Sequence, residues 1–259
     1  MKNKNLISEA IANGYNFNIG NYISRGMDIF KKNPGGYIGY TLLFIVISMT
    51  ISFIPILGTL IGIAINPALM VGIPIAAHKQ EKSSDMEFGN FFKGFDHFAQ
   101  LLVANILVTI IYLIISLPLI FMLGFTFFAS MATGDPSAIM ESTGELASFG
   151  IWILLFILLF TYVSISMRWT NYLIVFHQYD AVSAIKTSWA LTNKKWIFHL
   201  GFALLAGLML FAGVIALFVG IIFVIPIIFA ADYAGYADVT GLNRNDDVID
   251  EIGIETDLV

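Results

Sequence analysis

Arg168 is the one basic residue that falls inside a long apolar stretch of this 259-residue chain rather than beside one. A charged side chain at the centre of a bilayer costs about 2.5 kcal/mol or more, so it needs a counter-charge, a wet cavity or a route to the interface. Thr161, Ser164, Arg168 and Asn171 recur at spacings of three, four and three, which puts them on one helix face. Asn105, Thr109, Tyr112 and Ser116 form a second such stripe upstream. Helical rise places Arg168 about 12 Å from the end of its stretch at Phe176, with Asn105 at nearly the same depth on an antiparallel neighbour. The two stripes are therefore expected to face each other. Asp232, near the end of the last apolar stretch, is the candidate counter-charge. The cluster of Asn105, Thr109, Ser164, Arg168, Asn171 and Asp232 can do one of two things. It can join helices by hydrogen bonds worth ~0.6 kcal/mol each, or it can line a substrate path.

Other chemistry lacks its residues. His78, His97, His177 and His199 all fall at the ends of apolar stretches, but no two share the spacing of a metal pair on one helix, and no HExxH occurs. The chain has no cysteine, which removes disulfides, thiolate ligands and thiol nucleophiles together. A G-x-S-x-G elbow, paired intramembrane aspartates and a phosphate-binding glycine loop are absent from the sequence. No catalytic residue, metal or cofactor is expected. Net charge is −5, and no basic patch offers itself to nucleic acid.

The elements that carry these residues follow from hydropathy. Apolar residues make up 58% of the chain and charged ones 12%, against about 25% charged in soluble domains. Tyr37 to Ala77 holds no charged side chain, and Ile197 to Ala231 holds only His199 as an ionisable group. As one helix the first of these would span about 60 Å, twice the ~30 Å of a bilayer core, so it must fold back. The class is an all-α integral membrane protein; long unbroken apolar runs are the opposite of a barrel's alternation. Six spans are expected, at about 37–54, 57–77, 98–123, 150–176, 197–213 and 216–236. Pro55, Gly58 and Thr59 mark the first reversal, and Gly213 and Gly220 bracket the last. Kinks are expected at Pro67, Pro74, Pro118 and Pro226, and the Asn66–Pro67 break is placed to open backbone carbonyls to a ligand.

With six spans, every Lys and Arg outside them lies on the side of the termini. The opposite loop, 124–149, carries only Asp135, Glu141 and Glu145 as charges. The positive-inside rule then puts both termini in the cytoplasm. An amphipathic stretch precedes each pair of spans: Ile19, Tyr22, Ile23, Met27 and Phe30; then Phe88, Phe91, Phe92, Phe95 and Phe98; then Val182, Ile185 and Trp189. Ser84 and Glu87 have the spacing of a capping box before the second. This reads as one unit used three times, an interfacial helix lying on the cytoplasmic leaflet followed by a hairpin. Residues 1–16 form a cytoplasmic segment, 17–237 the transmembrane domain and 238–259 an acidic, solvent-exposed tail with the lone Arg244.

Ala184, Ser188, Trp189, Leu191 and Thr192, within the segment from Tyr179 to Thr192, carry an A-x-x-x-S-w-x-l-t pattern before the last hairpin. With the Asn66–Pro67 hairpin and the Phe91-Phe92-Lys93-Gly94-Phe95 segment, it resembles a group of poorly characterised bacterial six-helix membrane proteins. That group includes the membrane domain fused to some glycerophosphodiester phosphodiesterases. The resemblance implies a six-helix fold in the bacterial inner membrane and brings no catalytic residue, because a phosphodiesterase domain is missing. The expected function is that of a non-enzymatic multi-pass protein, a scaffold or accessory factor for lipids or other membrane proteins. Its partners are the bilayer itself and membrane proteins met through the interfacial helices or the acidic tail. The alternative is a small transporter or channel with a polar path between the third and fourth spans.

Overall fold

The computed structural model describes residues 2–82, 86–133 and 150–243. The acidic tail beyond Asn243, most of the 124–149 loop and Ser84 lie outside the described residues. Six helices are long and apolar enough to cross a membrane, and no strand occurs among the described residues. After α1 (Lys2–Asn13) and α2 (Ile19–Lys32), the first span is α3 (Pro34–Ser52). The second is α4 (Leu57–Met70) continued by α5 (Gly72–Lys82). A 3-10 helix, Phe88–His97, leads into α6 (Phe98–Thr133), the third. The fourth is α7 (Gly150–Met167) continued by α8 (Thr170–His177), after which α9 (Ala181–Asn193) leads to α10 (Trp196–Ile215) and α11 (Val219–Thr240). Four of the expected spans sit inside these helices; the first helix ends at Ser52 rather than 54, and the last begins at Val219 rather than 216. Two compact units result: residues 1–105 with 166–259, and residues 106–165.

Caps and prolines set the helix starts. The Asn33 side chain accepts from the Gly36 amide at 3.0 Å, with Pro34 at the first helical position, where a missing N–H costs nothing. Asn18 and Asp180 cap α2 and α9 in the same way. Pro74 falls in the first turn of α5, so it makes no kink of its own.

The reversals fall where Pro55 and Gly58, and Gly213 and Gly220, mark them. Ile56 in the first hairpin and Leu217 and Phe218 in the last take positive φ, at 60°, 56° and 64°. The glycines beside them stay helical. A Cβ on Gly220 would lie 2.7 Å from the Gly213 Cα, so glycine here lets two antiparallel helices touch near the tip. The tips are apolar and open: Phe53 is 81% exposed and Leu217 84%.

The second half of α11 is the axis of the larger unit. Ala230, Ala231, Tyr233, Ala234, Tyr236 and Ala237 are all buried, because alanines let neighbours approach on several sides. Helix α2 lies along it with Tyr22, Gly26, Ile29 and Phe30 buried. A Cβ on Gly26 would sit 2.6 Å from the Ala231 amide nitrogen and 2.7 Å from the Ile227 carbonyl oxygen. Backbone cannot yield as a side chain does, so Gly26→Val should lift α2 off α11. Overpacking of this kind costs about 1–3 kcal/mol, and we expect faster proteolysis within residues 14–33 in detergent with α10 and α11 still protected.

Within residues 1–16, α1 buries Ile7 and Ala10. Two expectations need correction. The acidic tail does not begin at 238, since Asp238 is in α11 and accepts from Tyr22 Oη at 2.6 Å. The phenylalanine-rich stretch is a 3-10 helix started by Glu87, whose amide donates to Asn90 Oδ1 at 2.9 Å. Its three-residue turn buries Phe91 and Gly94 and leaves Phe88 and Phe95 open.

Candidate functional site

Helix α11 carries the polar framework. The Asp232 carboxylate accepts from the Arg168 guanidinium, from Trp169 Nε1 at 3.0 Å and from Tyr172 Oη at 3.1 Å. The Arg168 and Asp232 side chains are only 13% and 16% exposed. The guanidinium also lies 4.5 Å above the centre of the Phe202 ring and 3.4 Å from His199 Nδ1. Tyr15, from the turn after α1, meets His199 Nε2 at 2.7 Å and lies 2.9 Å from the Leu191 carbonyl. Burial pushes the Tyr15 phenol up against the pull of Arg168, so it stays a neutral donor. The counter-charge expected from sequence is thus in place, but as one acceptor among three donors.

A second node sits near the basic ends of the helices. Arg25 forms a two-pronged pair with Glu81, Nε to Oε1 at 2.6 Å and Nη2 to Oε2 at 2.7 Å. Tyr233 Oη and Asn243 Nδ2 donate to the same carboxylate. Burial works against the Arg25 charge, yet the Glu81 bonds and charge raise its pKa overall.

The fourth span is broken at Arg168 and Trp169, and α9 repairs the break. Ser188 Oγ donates to the Ser166 carbonyl at 3.0 Å and accepts from the Trp169 amide at 3.2 Å, while Thr192 Oγ1 lies 3.1 Å from that carbonyl. Ala184, Ser188, Leu191 and Thr192 are wholly buried. The A-x-x-x-S pattern therefore lies on the inner face of α9, and Val182 of the expected apolar stripe points outward, 48% exposed.

Asn105 has a partner that the stripe argument missed. Pro67 has no N–H to give the carbonyl four residues back, that of Ile63, and Asn105 Nδ2 donates to it at 2.7 Å. Arg168 and Asn105 thus turn to different elements. Asn105→Leu should leave that carbonyl unsatisfied, a loss of about 1–3 kcal/mol in detergent unfolding. Pro67→Ala restores an N–H, so it should make Asn105→Leu nearly silent. An undiminished loss in the double variant would contradict this pairing.

In the smaller unit the stripes do meet. Tyr112 Oη donates to Ser164 Oγ at 3.0 Å, and its ring lies 4.7 Å from that of Phe160. Ser116 bonds the Tyr112 carbonyl of its own helix. Thr109 belongs to this unit by position. Three of the four histidines meet tyrosines: His78 with Tyr233 at 2.8 Å, His177 with Tyr236 at 2.6 Å and His199 with Tyr15 at 2.7 Å.

A cleft of about 550 Å³ reaches from the first hairpin tip to Asn66, Asn105 and Asn171. Asn66 Oδ1 and Ser48 Oγ on its wall are buried without a hydrogen-bond partner among the described residues. The Asn66–Pro67 break was legible in the sequence; Ser48 carried no signal there.

Comparison of the chain with family models, with curated proteins and with solved structures finds no match.

Proposed function

We propose that this protein is a non-enzymatic bacterial inner-membrane protein that serves as a scaffold or accessory factor for lipids or other membrane proteins. The observation that carries the reading is the saturation of Asp232. Its carboxylate holds Arg168, Trp169 and Tyr172 together, and the groups best suited to acid–base or ion-transfer work are engaged in tying helices to one another. Asn105 is likewise engaged at the Pro67 kink. In the smaller unit, Tyr112 bonds Ser164 and packs on Phe160, so these stripe residues too are engaged in joining helices.

Orientation belongs to the same proposal. Lys31, Lys32, Lys93 and Lys186 are exposed on the helices that precede the hairpins, which suits the anionic headgroups of a cytoplasmic leaflet. The resemblance of the Ala184–Thr192 segment to bacterial six-helix proteins supports the location. Because the chain has no cysteine, single introduced thiols report sidedness directly. Ser137→Cys should react with an impermeant maleimide on intact spheroplasts, and Lys32→Cys only after lysis; the reverse result would invert the topology.

The functional test is reconstitution into phosphatidylethanolamine–phosphatidylglycerol liposomes loaded with potassium, protons or sucrose. A scaffold leaves leakage at the protein-free rate, and cross-linking in native membranes gives discrete complexes. Saturable flux that depends on the protein would overturn the reading in favour of a transporter.

A further inference from the structure

We infer that the cleft between the first hairpin and the start of α6 is a binding site for a neutral lipid with a free hydroxyl, of the diacylglycerol class. Two independent observations meet there: a cavity of about 550 Å³, within the range of ligand sites, and two buried polar atoms, Asn66 Oδ1 and Ser48 Oγ, without a partner among the described residues. An unmatched buried polar atom is a standing cost that a ligand can relieve.

The wall chemistry selects the ligand. No Asp, Glu, Lys or Arg lines the cleft. A phosphate would enter without a cation to meet it, which burial makes costly, so charged headgroups are disfavoured. A hydroxyl can both donate and accept, so it serves the Asn66 amide in either orientation and the Ser48 hydroxyl as well. Around these polar groups stand Ile51, Ile63 and Met70, apolar enough for the first methylenes of an acyl chain. Met70 is 43% exposed and Ile54, in the hairpin tip, 42%. Such exposed apolar side chains beside the cleft suit a lipid arriving from the bilayer. Asn105 and Pro67 both line the cleft, and Asn105 Nδ2 holds the Ile63 carbonyl that Pro67 leaves without an amide. Lipid binding here stands apart from the scaffold reading and survives its failure.

The test is native mass spectrometry of the full chain in detergent, titrated with dioleoylglycerol and, separately, with dioleoylphosphatidylcholine, dioleoylphosphatidylglycerol and free glycerol. One saturable dioleoylglycerol adduct is expected, which the two phospholipids do not displace. Asn66→Leu should weaken it by about tenfold, the value of one lost buried hydrogen bond, and Ser48→Ala by a smaller factor. Asn66→Leu removes an unpartnered group, so its thermal midpoint should equal or exceed that of the parent. Should that variant misfold, Ser48→Ala alone decides. Absence of the adduct, equal binding by both variants, displacement by phosphatidylcholine, or binding of glycerol without dioleoylglycerol would each overturn the proposal.

Discussion

Replacing Asp232 with leucine is expected to cost about 3–5 kcal/mol of stability, the loss seen when one partner of a buried ion pair is removed. Three donors lose their acceptor at once: the Arg168 guanidinium, Trp169 Nε1 and Tyr172 Oη. Phe202 and His199 cannot replace a carboxylate. The ring offers only a weak attraction, and the His199 Nε2 is already engaged with Tyr15. Arg168 lies close enough to the basic end of its helix to shift part of the way toward the headgroups, but the fourth span is broken at that residue and α9 is fastened to the break. The expected measurement is a large drop in the midpoint of thermal unfolding in mild detergent. It should be accompanied by exposure of Trp169 to aqueous quenchers, because the indole is wholly buried in the native protein.

The second large effect concerns α9. Ser188→Ala with Thr192→Val keeps volume and apolar packing while removing both hydroxyls. The Trp169 amide loses Ser188, and the Ser166 carbonyl loses both donors. Each buried group so abandoned costs about 1–3 kcal/mol, and here they sit where the helix ladder is already interrupted. The double variant should therefore lose more stability than either change alone, with faster hydrogen exchange confined to residues around 166–172 and 181–193. A double variant as stable as its parent would mean that water or lipid serves the break, and that α9 merely rests against it.

These two predictions also mark what could be read from the chain. Long uncharged runs are legible because the bilayer admits little else, so the spans emerge within a few residues of their ends. Arg168 announces its need for a counter-charge, and Asp232 is the acidic residue available near the right depth. Trp169 and Tyr172 were passed over because aromatic residues in a span read first as apolar bulk, although each carries a polar atom that must find a partner when buried. Asn105 was legible as a buried polar group, but its partner is a carbonyl released by a proline in another helix, and only tertiary proximity reveals that. At the reversals the places were legible, since Gly213 and Gly220 do bracket the last one, but not the roles: the two glycines serve close approach, and Leu217 and Phe218 take the strained backbone. Helix α1 escaped because its sequence is polar and its hold on the bundle rests on few apolar residues, Ile7 and Ala10 among them.

Arg168 and Asp232 are coupled as a pair that ties the fourth span to α11. Unfolding in bicelles of the parent, Arg168→Leu, Asp232→Leu and the double leucine variant forms a complete cycle. Each single change should be strongly destabilising, while the double, which leaves no buried charge but still deprives Trp169 and Tyr172 of their acceptor, should lose less than the sum of the two singles by about 1–3 kcal/mol. Single losses that simply add in the double variant would contradict the account.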